Sequence, residues 1–164
     1  FQLDGLVHER MLPTYVEYIK MRGLRAPLSG AALVEGSIEL LKEHLQTLPL
    51  VNPFHTFKTA FAKDLEWLMT QDIEVFHLYS FATLRQYGAC FELVETYLLW
   101  LQQQGQAGLQ PAIDAFGFIA TAAKTFQFQL ARAMARRREM DCSAIDEMGR
   151  CWEQGINTLK SLYL

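Results

Sequence analysis

Residues 76–102, FHLYSFATLRQYGACFELVETYLLWLQ, read as the middle of a buried helix that nevertheless carries Arg85, Glu92 and Glu95. At about 100° per residue, Glu74, His77, Arg85, Gly88, Glu92 and Glu95 fall within a sector roughly 90° wide. The rest of the circumference is filled by Phe76, Leu78, Tyr79, Ala82, Leu84, Phe91, Leu93, Val94, Leu98 and Trp100 with few interruptions. A helix apolar on that much of its surface needs neighbours on most sides. The chain is therefore expected to fold as an all-α antiparallel bundle of about five helices, with this third helix central and largely buried.

Punctuation along the chain supports that number of helices. The first is expected after Pro27, with Ser29 as N-cap, and runs to Pro49 with Leu33, Leu40, Leu41, His44 and Leu45 along its apolar side. A second opens at NPF, where Asn52 can accept from orphan amides and Pro53 suits the first turn. It carries Phe54, Phe57, Phe61, Leu65 and Leu68 at three- and four-residue spacing. The third is expected from near Asp72 to about Gln104. GQAGLQP then breaks the chain, and Pro111 opens a fourth helix extending to about Glu139. Asp141 or Ser143 caps the last helix, which places Trp152, Ile156, Leu159 and Leu162 on one side.

Residues 1–28 are ambiguous, because LPTYVEYIKM suits either a helix begun by Pro13 or an extended segment rich in Tyr, Val and Ile. An irregular or extended N-terminal segment followed by a helical domain over 29–164 is the expected division. Because the chain begins at Phe1 and not Met, a preceding segment is also expected. With 51% hydrophobic, 12% aromatic and 20% charged residues, 164 residues suffice for one domain with its own core.

Net charge of −3 does not favour nucleic acid. No apolar run approaches the 18 or so residues of a membrane span, and the N-terminus lacks a charged segment followed by an apolar one. Cys90, Cys142 and Cys151 form an odd set without metal-ligand spacing. Reduced thiols in a cytoplasmic setting are the expectation.

Candidate chemistry is sparse. Glu74 and His77 have the Glu-x-x-His spacing of di-metal bundles, but no second such pair exists, and neither metal nor cofactor is expected. Cys90, in the apolar middle of the third helix, is expected to be buried and inert. No Gly-rich phosphate loop or Gly-x-Ser-x-Gly elbow occurs, so no catalytic residue is assigned and the question of enzymatic activity stays open.

The polar stripe of the third helix is either the one solvated face or the wall of a groove. In the second case His77, Phe81, Arg85, Glu92 and Lys124 line a small-molecule pocket, with Lys124 reaching a glutamate of the third helix. Arg132, Arg136, Arg137 and Arg138 complement the negative end of the fourth helix's dipole. They also make a candidate docking patch for an acidic partner, with Thr121 and Thr125 on the same side.

The segments LPTYVEYIK, NPFHTFKTAFAKDLEWLM, FHLYSFATLRQYGACFELVETYLLWL and KTFQFQLARAMARRRE together resemble an uncharacterised bacterial family, domain of unknown function 1839 (DUF1839). The resemblance spans most of residues 10–160 and is a whole-pattern match, not a catalytic motif. It implies that this chain is the helical C-terminal part of a longer protein whose N-terminal half is similar to papain-like acyltransferases or peptidases. LPTYVEYIK is then the tail of that half. It further implies work beside acyl-carrier proteins and aminoacyl ligases, on an acyl or aminoacyl group borne by a phosphopantetheine arm. No family catalytic residue maps onto this chain. The leading expectation is a non-catalytic helical accessory domain that packs against its own N-terminal half or an acidic acyl-carrier protein. The alternative is a ligand-binding or catalytic bundle with the polar pocket described above.

Overall fold

The computed structural model describes residues 26–164, all of whose regular structure is helical. The segment LPTYVEYIKM lies outside the described residues. Six helices follow in order: α1 (Gly30–Gln46), α2 (Pro53–Leu68), α3 (Ile73–Ala82), α4 (Leu84–Gln103), α5 (Gln110–Arg136) and α6 (Ser143–Tyr163). The expected bundle is present. The segment expected to form its third helix is α3 and α4, separated by Thr83 alone.

Thr83 leaves helical geometry with φ −118° and ψ −83°. Its hydroxyl donates to the Tyr79 carbonyl at 2.7 Å, the backward side-chain bond by which threonine bends a helix. Inserting that kink turns the wheel of residues 73–82 relative to 84–103, so a single stripe drawn across both is only approximate.

Local chemistry sets the helix ends. The Asn52 side chain accepts from the Phe54 amide at 3.0 Å, with Pro53 in the first turn of α2. Its own amide donates to the Gly149 carbonyl and to Glu153, both at 2.9 Å, so one buried side chain caps α2 and ties it to α6. Asp141 accepts from the Ser143 amide at 2.8 Å at the start of α6. Ser29 precedes α1 without a side-chain cap. Between α4 and α5, Gly105 and Gly108 take φ of 91° and 80°, a left-handed conformation that side-chain-bearing residues avoid.

The core is built around α5, not around the third helix. Eleven residues of α5 are buried, against four of α4. The reason is the small-residue content of α5: Ala112, Ala115, Ala120 and Ala123 let neighbouring helices approach closely, while Phe116, Ile119, Phe126 and Leu130 fill the space between them. Aromatic contacts link the layers, with Phe61 against Phe126 at 5.1 Å and Phe91 stacked on Phe116 at 5.8 Å. From α2, Phe54, Phe61 and Leu68 are buried as their spacing predicts. The bundle leaves Leu78 and Leu93 exposed, where the wheel predicts burial.

Helix α1 packs least completely. Only Leu45 is buried on it, and Leu40 of its expected apolar side remains 67% exposed. A hydrogen bond from the Tyr97 hydroxyl to the Ser37 carbonyl, 2.9 Å long, ties α1 to α4.

Candidate functional site

Three places on the bundle concentrate chemistry. The first is the polar stripe. Arg85 and Glu92 on α4 and Lys124 on α5 line one crevice of 360 Å³, floored by Gly88. Lys124 reaches Glu92, Nζ to Oε2 at 2.9 Å, as its small-residue surroundings predict. Both side chains are more than half exposed, so the pair is solvent-screened. Arg85 stacks over Phe81, 5.4 Å from the ring centre. Phe81 and the exposed His77 do not line this crevice, so five residues expected to share a pocket are divided. Gly88 is buried because α5 packs across it, with Ala120 and Ala123 beside it. Glu95 lies over Gly117 of α5, where a Cβ would fall 2.6 Å from its carboxylate.

The second place is the C-terminal end of α5, whose arginines have two different roles. Arg137 ends the helix in the left-handed conformation, φ 49° and ψ 48°. Its guanidinium donates to the carbonyls of Met69 and Gln71, the latter at 2.9 Å, closing the connection between α2 and α3. Arg137 is thus a structural clasp, which the uniform run of arginines does not reveal. Arg132, Arg136 and Arg138 line a crevice of 290 Å³ with Gln129, Ala133, Glu139, Met140 and Asp141. None of these three forms an ion pair among the described residues. Asp141 is engaged by the Ser143 amide and hydroxyl, which hold its carboxyl below its ordinary value. Thr121 and Thr125 share that side of α5 but line a neighbouring crevice with Phe118 and Gln129.

A third place is invisible in the sequence: an apolar groove of 480 Å³ between α1, α4 and α6. Leu41, Leu45 and Leu48 form one wall, Phe91, Val94 and Leu98 another, and Trp152, Ile156 and Leu159 the third. Cys90, expected to be buried, is exposed and borders this groove, because α5 packs on the Gly88 side of α4 and Cys90, two residues on, lies about 200° round the helix from it. By contrast, Cys142 and Cys151 are half-buried, and burial pushes both thiols up.

The family model of the DUF1839 C-terminal domain matches residues 30–161. The chain belongs to that family. Its matched region starts with α1 and ends inside the last turn of α6, so in this DUF1839 domain the family unit and the helical bundle coincide. Comparison with curated proteins and with solved structures returned no match.

Among the described residues no group of three His, Cys, Asp or Glu side chains comes together to hold a metal. Nor is any described helix long and apolar enough to cross a membrane.

Proposed function

We propose that this domain is a non-catalytic accessory module that docks an acidic partner through the C-terminal end of α5. The partner is an acyl-carrier protein, or else the N-terminal half of the same family architecture. In this reading the longer protein handles an acyl or aminoacyl group, and the helical domain brings the carrier into position. The observation that supports it is the gathering of Arg132, Arg136 and Arg138 at one crevice, none of them in an ion pair among the described residues. Glu139 and Asp141 share that crevice and leave a local excess of one positive charge, on a chain whose net charge is −3. Arginines at such a surface steer an acidic partner and fix its orientation. Arg137 does not contribute, being held on backbone carbonyls.

The test is titration calorimetry of the domain with an acidic holo-acyl-carrier protein. The double charge reversal Arg132→Glu and Arg136→Glu should weaken binding by about tenfold or more, and binding of the unaltered domain should fall steeply with salt. Both side chains are exposed, so the fold survives the exchange, as circular dichroism will verify. Equal affinity of the two forms contradicts the proposal.

A further inference from the structure

The groove between α1, α4 and α6 has a shape and lining that narrow its occupant. It runs along the helices. Its lining spans Ser37 to Leu45 on α1, with Leu48 just beyond that helix, and Cys90 to Leu98 on α4, lengths of roughly 12 Å each at the helical rise. Leu45, Leu98, Ile156 and Leu159 are buried at the foot of its walls, and buried Phe116 of α5 closes the floor between them. Among the described residues, no Lys, Arg, Asp or Glu lines it. Two of its few polar groups are already engaged: Ser37 donates to the Val34 carbonyl at 2.9 Å, and the Tyr97 hydroxyl to the Ser37 carbonyl. A sugar, nucleotide or peptide backbone would lose its hydration here without replacement.

Volume narrows the choice further. At 480 Å³ the groove holds about three times the ~150 Å³ of a cavity that accepts benzene, which suits a long ligand over a compact ring. A peptide helix, about 10 Å across, could lay only one face into such a groove, whereas a single run of methylenes fits wholly within it. From this geometry we infer that the groove is a binding site for one linear alkyl chain, the tail of a fatty acid or of an acyl thioester. The chain lies along the floor, and the polar head emerges at the rim, where His44 and Cys90 are exposed. This site is independent of the arginine crevice: Phe116 of its floor and Arg132 are 16 residues apart on α5, about 24 Å along the helix axis.

Trp152 in the groove wall provides the readout, with Trp67 on α2 as an internal control. In a Trp100→Phe background, which removes the tryptophan stacked on Tyr97 of the groove, titrating the chain with 11-bromoundecanoate should quench tryptophan emission saturably, and Trp152→Phe should remove that quenching while Trp67→Phe leaves it. Competition by unbrominated fatty acids should tighten about fourfold per added methylene until the groove is full, the ratio set by the transfer of one CH2. Leu40→Glu at the exposed rim, which the fold tolerates, should weaken binding by about tenfold. Val94→Phe, which fills the groove, should abolish it.

A second arm compares decanoate with decanoyl-pantetheine as competitors. Preference for one of them assigns the source of the chain, and either supports the site. The inference is overturned if no chain length quenches saturably. It is equally overturned if Trp152→Phe retains the quenching, or if both groove variants bind as the parent does, since the chain then adsorbs elsewhere.

Discussion

Gly88 and Gly155 both lie where helices cross closely, yet their surroundings call for opposite outcomes on substitution. A Cβ at Gly88 would meet the Ala120 carbonyl and the Ala123 methyl at 3.6 Å, ordinary contact distance. Gly88→Ala should therefore stabilise the domain by up to about 1 kcal/mol, through helix propensity alone. At Gly155 the added carbon would fall 2.5 Å from the tip of the Phe116 ring, which is buried and stacked on Phe91. Overpacking there costs about 1–3 kcal/mol, so Gly155→Ala should destabilise despite the same propensity gain. Urea midpoints of the two variants should move in opposite directions. From the sequence, Gly88 reads as a bare patch beside Arg85 and Glu92; its role in letting α5 approach is a property of two helices and cannot be seen on one wheel.

At the scale of elements, what a helix does with its own ends is local and could be read in advance. Asn52 and Pro53 start α2, Pro111 starts α5, and Asp141 caps α6, because each effect involves residues within one turn. Contacts between elements were legible only where residue size restricted the outcome, as with Lys124 reaching Glu92 from a small-residue segment. Arg137 shows the opposite case. Periodicity and charge treat it like Arg136 and Arg138, but the left-handed turn at the end of α5 aims it at the carbonyls of Met69 and Gln71. Arg137→Ala should lower stability by about 1 kcal/mol, since charge-assisted bonds to carbonyls are lost from an exposed position. Arg136→Ala should stay within about 0.5 kcal/mol of the parent. Thermal denaturation of the two variants side by side distinguishes a clasp from a surface charge.

The whole molecule's response to pH follows from its half-buried tyrosines. Burial, reinforced by a 2.8 Å hydrogen bond to Asp64, holds the Tyr79 hydroxyl above its ordinary value of 10.0, and burial also raises Tyr87. Below pH 10 both folded and unfolded states keep these protons. Above it the unfolded chain releases them first, so stability falls as pH rises. The melting temperature should decline between pH 10 and 11, and Tyr79→Phe should make that decline shallower. An unchanged slope would mean that Tyr79 does not govern the alkaline limit.

The all-helical architecture was legible because amphipathic periodicity and turn chemistry repeat along the chain. Its centre was not, because burial around α5 depends on how α3, α4 and α6 share its alanine-rich surface. The groove was hidden for a related reason: it arises where α1 stands off from α4 and α6, and no single segment encodes a gap. The arginine crevice was half legible, since its charges are adjacent in sequence while the departure of Arg137 is tertiary.

Docking of an acidic partner at the end of α5 is tested most directly by heteronuclear NMR of the labelled domain during titration with unlabelled holo-acyl-carrier protein. The account predicts shift perturbations centred on Gln129, Arg132, Arg136, Arg138 and Met140 around the crevice, fading as salt is added. Perturbations centred instead on Arg85, Glu92 and Lys124, or none at saturating carrier protein, would contradict it.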